Sequence, residues 1–96
     1  PTVLEGRESA WAQYTIQVEQ RDEVQAALKA KGVPTAVYYP RPMHLQPAYA
    51  AWSEGPGSLP IGERLSERVL ALPMHADMRP ETRARIIAAV REVIAG

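Results

Sequence analysis

Residues 11–18 read Trp-Ala-Gln-Tyr-Thr-Ile-Gln-Val, and the alternation in this stretch decides the fold class. Ala12, Tyr14, Ile16 and Val18 are apolar, while Gln13, Thr15, Gln17 and the following Glu19 are polar. Successive side chains of a strand point to opposite faces, so this period of two predicts a strand with one face covered, opened by Trp11. Directly after it the period changes. Val24, Ala27 and Leu28 fall at i, i+3 and i+4, the narrow apolar stripe of a helix that lies on a sheet. Asp22 and Glu23 sit early, toward the positive end of the helix dipole, and Lys29 and Lys31 sit late. Gly32 is placed to close the helix in a left-handed conformation, and Pro34 bars its continuation.

Working outward, residues 35–39 are rich in β-branched and aromatic side chains and predict a second strand that stops at Pro40. From there to Pro60 the chain is punctuated by Pro42, Pro47, Gly55, Pro56 and Gly57, and reads as loop with one helical turn over residues 47–52. A loop of about twenty residues in a small domain calls for a functional reason. Ile61, Leu65 and Val69 at i, i+4 and i+8 predict a helix over residues 59–68. Val69 begins a short third strand that must end at Pro73, because proline cannot sit centrally in a ladder. Pro80 suits the first position of a last helix, whose broad apolar face is Ile86, Ile87, Val90, Val93 and Ile94. The order β-α-β-loop-α-β-α predicts an α/β class in the α+β two-layer form: a small mixed β-sheet with helices packed on it. The helix between the first two strands permits a parallel pair, and strand order stays open at this point.

The 96 residues suit one domain, here residues 1–96. Eleven basic residues balance eleven acidic ones, so no electrostatic argument favours nucleic acid or an anionic membrane as partner. Trp11 and Trp52 do not change this, since base-stacking surfaces come with a basic stripe. Apolar runs are far shorter than a membrane span. Cysteine is absent, which excludes a disulfide framework and thiolate zinc, and fits a reducing, cytoplasmic setting. His44 and His75, far apart and without acidic ligands at a recognisable spacing, give no metal site. The chain does not begin with Met, and a processed or longer precursor is expected.

The densest chemistry lies in Tyr38-Tyr39-Pro40-Arg41-Pro42-Met43-His44-Leu45-Gln46, running from a predicted strand end into a proline-stiffened loop. Such positions often carry ligand groups in α/β proteins. Two phenols, a guanidinium, an imidazole and an amide suit phosphate and hydroxyl groups. The competing reading is that the tyrosines pack and Arg41 is merely solvated. An N-terminal proline that acts as a general base, as in tautomerases, is a third reading. It requires a strand starting at Pro1, whereas the first strand signal begins some ten residues later.

Four segments together resemble the C-terminal part of the DegT-type (StrS-like) sugar aminotransferases. They are Ser9-Ala10-Trp11-Ala12-Gln13-Tyr14-Thr15, the helix and cap of residues 21–32, the Tyr-Pro-x-Pro-x-His-x-Gln loop of residues 39–46, and Leu59-Pro60 through Leu72-Pro73-Met74-His75. The resemblance implies the C-terminal small domain of a type I pyridoxal-phosphate (PLP) transferase fold. It implies a homodimeric parent enzyme in polysaccharide biosynthesis, with the large PLP-binding domain supplied by other sequence. That enzyme would move an amino group from an amino acid, commonly glutamate, to a nucleotide-linked keto-sugar. Tyr38, Tyr39, Arg41 and His44 would then hold the nucleotide-sugar substrate. The family often carries histidine where this chain has Tyr38, a change that bears on which sugar substituent is held. The Schiff-base lysine has no counterpart: Lys29 and Lys31 end a surface helix, and a Schiff base needs an activated amine. The isolated chain is therefore expected to be inactive and not to bind PLP. It is also expected to expose Trp11, Tyr38, Tyr39 and Trp52 on the side that faces the large domain. The alternative is a free-standing α+β ligand-binding or interaction module.

Overall fold

The computed structural model describes residues 2–96. Pro1, on which the tautomerase reading turns, lies outside the described residues. The elements run β1 (Tyr14–Gln17), α1 (Arg21–Ala30), 3-10 turns at Met43–Leu45 and Pro47–Trp52, α2 (Pro60–Arg68), β2 (Val69–Leu72) and α3 (Pro80–Ala95).

β1 and β2 pair antiparallel, with Tyr14 opposite Leu72 and Ile16 opposite Leu70. This register places Ile16, Val18, Leu70 and Leu72 together on one face, because side chains alternate along each strand. Val24 and Leu28 of α1 and Ile86, Ala89, Val90 and Val93 of α3 cover that face, with Val33 and Val37 from the chain after α1. The layered α/β class follows directly: one apolar face of a sheet and one stripe of each of two helices exclude water together.

Residues 35–39 do not form the expected strand. Ala36 alone makes an antiparallel bridge, donating to the Ala71 carbonyl at 3.1 Å and accepting from the Ala71 amide at 2.8 Å. The sheet is thus two-stranded and antiparallel, with β2 between β1 and Ala36, and the parallel pair that α1 permits does not occur. Pro34 and Pro40 flank this segment and lack amide donors, so the ladder has little room to extend on either side. The central place of β2 accounts for its burial, with Leu70 and Ala71 both in the interior.

The end of α1 follows its sequence closely. Gly32 has φ 74°, its amide donates to the Lys29 carbonyl at 2.9 Å, and the Val33 amide donates to the Leu28 carbonyl at 2.9 Å. These are the two bonds of a Schellman motif, and the buried Leu28 and Val33 supply the apolar contact that accompanies it.

The start of α1 holds a residue whose burial the sequence does not announce. Arg21 is only 9% exposed. Its Nη1 donates to the Ser66 carbonyl at 3.0 Å and the Val69 carbonyl at 3.3 Å. The Ser66 carbonyl belongs to the last turn of α2, where no amide of the same helix is available. Arg21 therefore ties α1 to the α2–β2 junction. Arg21→Ala is expected to lower stability by about 1–3 kcal/mol, the cost of leaving a buried acceptor unpaired. A urea midpoint that does not move would show that water replaces the guanidinium.

The core face is open at one end. Tyr14, Leu72 and Met74 with Ile86, Ile87 and Ile94 of α3 line an apolar groove of about 620 Å³. The last helix is thus only partly core: Ile87 and Ile94 are exposed, while Ala89 takes a buried place. Among the described residues, no helix is long and apolar enough to cross a membrane.

Candidate functional site

The segment of residues 38–46 leaves the bridge at Ala36 and crosses the surface. Tyr38 and Tyr39 are both exposed, Tyr39 at 70%. Their rings meet edge-on, with centroids 5.7 Å apart and planes at 69°, a favourable aromatic geometry. The peptide bond between them is cis. Arg41 is exposed, and its carbonyl accepts from the Gln46 side-chain amide at 3.4 Å. The Leu45 amide donates to the Pro42 carbonyl at 3.0 Å and the Gln46 amide to the Met43 carbonyl at 3.1 Å, which winds the loop into a tight turn.

His44 differs from its neighbours. Its side chain is 13% exposed, and Nε2 lies 2.9 Å from Oε1 of Glu63, itself 22% exposed, in the first turns of α2. The same carboxylate accepts from the Gly57 amide at 2.9 and 3.0 Å and from the Leu59 amide at 3.3 Å. Leu59 is the residue on which α2 starts, and its side chain makes no cap. Glu63 supplies the missing acceptor by reaching back, in the manner of a capping box. The segment before it is braced too: Ser53 Oγ accepts from the Gly55 amide at 2.9 Å, and Ser58 Oγ donates to the Gly55 carbonyl at 2.6 Å.

The His44 hydrogen bond, and after it the Gly57 amide, hold the Glu63 carboxyl below its ordinary value of 4.5. The Leu59 amide adds to this effect, and desolvation opposes it. A carboxyl lowered in the folded state contributes stability above its unfolded value and loses that contribution as pH falls through the lowered value. The contribution of the Glu63 bonds to His44, Gly57 and Leu59 is therefore expected to fall away as pH drops through that lowered value.

Of the four residues singled out in the sequence, the fold brings Tyr38 and Tyr39 into contact, leaves Arg41 in solvent and turns His44 toward α2. Glu63 was missed. Its signal was an acidic residue just inside a proline-initiated helix after a Gly-Pro-Gly run, a pattern that reads as a cap. Its bond to His44, nineteen positions back, is not visible in that pattern. Trp11 and Trp52 are exposed like the two tyrosines, Trp52 at 82%. Among the described residues no group of three His, Cys, Asp or Glu side chains is arranged to hold a metal.

The two-layer α/β domain thus presents an aromatic, basic loop braced by the half-buried carboxylate of Glu63. The chain belongs to the DegT/DnrJ/EryC1/StrS aminotransferase family, whose model matches residues 1–91. It is 39% identical over 92 residues, 96% of this chain, to a pleiotropic regulatory protein of Geobacillus stearothermophilus, covering 25% of that protein. It is 49% identical over 67 residues, 70% of this chain, to UDP-2-acetamido-2-deoxy-3-oxo-D-glucuronate aminotransferase of Pseudomonas aeruginosa, covering 18% of it. A crystal structure of a DegT DnrJ EryC1 StrS aminotransferase from Brucella abortus superposes on the whole chain with a TM-score of 0.89 and 43% identity, over 26% of its own length. The chain thus spans about a quarter, or less, of the length of the relatives it matches.

Proposed function

We propose that this chain is the C-terminal small domain of a PLP-dependent aminotransferase that moves an amino group from an amino acid, commonly glutamate, to a nucleotide-linked keto-sugar. The observation that carries this reading is the loop of residues 38–46, with Tyr38, Tyr39 and Arg41 exposed and His44 braced from behind by Glu63. In the proposed enzyme these four residues line the sugar-nucleotide side of the active site. The parent enzyme is a cytoplasmic homodimer, and its amino-sugar product serves polysaccharide synthesis. Support comes from membership of the family and from similarity to the Pseudomonas aeruginosa enzyme, which acts on a UDP-linked oxo-sugar.

PLP supplies an electron sink for amino transfer when bound. The residues of this chain do not fit the covalent attachment that such enzymes use. Lys29 and Lys31 are the only lysines of the chain, both are exposed, and Lys31 Nζ is engaged by Glu92 Oε1 at 2.6 Å. A Schiff base needs an activated amine free to react, and a surface amine held in an ion pair does not offer one. In this reading the cofactor is held by sequence outside this chain. The 96-residue chain mixed with PLP is expected to show no cofactor absorbance after gel filtration. A band that survives filtration would overturn this division of labour.

The reading as a whole is tested with the complete polypeptide that carries this chain, given PLP, glutamate and a panel of UDP- and dTDP-linked keto-sugars. Formation of an amino-sugar nucleotide, detected by mass spectrometry, is expected for at least one member. Absence of amino transfer to every sugar would refute the proposal. The apolar groove beside α3 favours a second reading, a free-standing interaction module. A reading frame that continues upstream into a PLP-lysine segment decides between the two.

A further inference from the structure

We infer that Glu63 is a positioning residue for His44: it holds the imidazole in the tautomer protonated at Nε2, so that Nδ1 is presented to a sugar hydroxyl of the ligand as a hydrogen-bond acceptor. This rests on the reading above, that residues 38–46 face a nucleotide-linked sugar.

The carboxylate is built to receive the ring. Two backbone amides, Gly57 and Leu59, fix it independently of His44. Those donors favour its ionised form, and an ionised carboxylate only accepts. The nitrogen 2.9 Å away must therefore be the donor, and Nε2 carries the proton. A neutral imidazole has one donor and one acceptor nitrogen, which leaves Nδ1 with a free lone pair. No described group bonds Nδ1, yet every buried side-chain nitrogen and oxygen among the described residues has a partner. Nδ1 is therefore in contact with solvent, on a ring that is otherwise largely enclosed.

The consequence is chemical selection. An acceptor nitrogen pairs with an O–H and repels an ionised phosphate, whose oxygens also only accept. His44 then reads a hydroxyl of the sugar, and the exposed Tyr39 and Arg41 are left for the phosphates. Glu63 touches no substrate in this arrangement and acts through the ring it orients.

The test uses the complete polypeptide, labelled with nitrogen-15 at histidine, at about pH 9, above the ordinary imidazole range. Long-range proton–nitrogen correlation reads the tautomer directly. The His44 signals are expected to show Nε2–H in the native protein and to leave that tautomer in Glu63→Gln, whose amide can also donate. Steady-state kinetics of Glu63→Gln are expected to show a KM for the sugar nucleotide raised about tenfold, as for loss of one ordered hydrogen bond, with the amino-donor half-reaction unchanged. His44→Gln is the second variant. It keeps a donor toward Glu63 and removes the acceptor at Nδ1, so it is expected to fold normally and to raise the same KM even if Glu63→Gln fails to fold. An Nδ1–H tautomer in the native protein would overturn the positioning role, whatever the enzyme's substrate. An Nε2–H tautomer with an unchanged sugar-nucleotide KM in both variants would overturn the link to the ligand. Native protein that turns over no sugar nucleotide would sink the functional reading and leave the tautomer result standing, so the two failures are distinguishable.

Discussion

Leu28→Ala is expected to destabilise the domain by about 2–5 kcal/mol, the range for truncating a fully enclosed leucine. Leu28 has no exposed surface and sits among Val18, Val33, Leu70 and Ala89. Its loss removes transfer free energy and leaves a cavity that close-packed neighbours fill only in part. It also removes the apolar contact with Val33 that accompanies the Schellman turn, so the end of α1 loosens with the core. A single small domain has a total stability of about 5–15 kcal/mol, so this one change removes a large share of it. Urea unfolding followed by circular dichroism measures the effect, as a lower midpoint at an unchanged slope. A loss below about 1 kcal/mol would mean that Leu28 is not the centre of the core, since most core truncations to alanine exceed it.

The second large effect concerns the loop. In the complete enzyme, Tyr39→Phe and His44→Ala are expected to slow the sugar half-reaction and to leave the amino-donor half-reaction nearly unchanged. The donor is small and carries no nucleotide, so it makes no demand on a loop proposed to hold one. Tyr39 is largely exposed and packs edge-on against Tyr38, a contact that phenylalanine keeps. The substitution therefore reports the hydroxyl alone. One such hydrogen bond is worth about 0.5–1.5 kcal/mol, and up to about 3 when its acceptor is charged, or roughly a twofold to 150-fold loss. His44→Ala should fall at the upper end. It removes the proposed ligand contact and also releases the loop from Glu63, which then lacks its 2.9 Å partner. Stopped-flow measurement of each half-reaction separates these effects. Equal slowing of both would make the residue catalytic or structural and would refute the assignment.

The two effects differ in how far they were legible beforehand. The burial of Leu28 follows from its place in the i, i+3, i+4 stripe before Gly32, a signal contained within one turn and its cap. The ligand role proposed for the loop rests on composition and on family resemblance. What braces the loop was not legible, because the carboxylate that receives His44 lies in another element.

The amino-acid sequence by itself determined what depends on near neighbours. The alternation at Tyr14, Ile16 and Val18 made β1; the stripe and the glycine made α1 and its Schellman end; Pro60, Pro73 and Pro80 set where α2 begins, where β2 must stop and where α3 starts. These signals act through backbone sterics and hydrogen bonds a few residues apart, so the rest of the molecule is not needed to read them. Only the tertiary structure decided that β2 lies between β1 and Ala36, that all pairing is antiparallel, that Arg21 is buried against the Ser66 carbonyl, and that Ile87 and Ile94 of the α3 apolar face stay open. It alone brought His44 to Glu63. Each of these joins groups far apart in the chain, and whether they meet depends on how the layers pack, since a carboxylate or a guanidinium carries the same local signal whether it ends in solvent or against a distant partner.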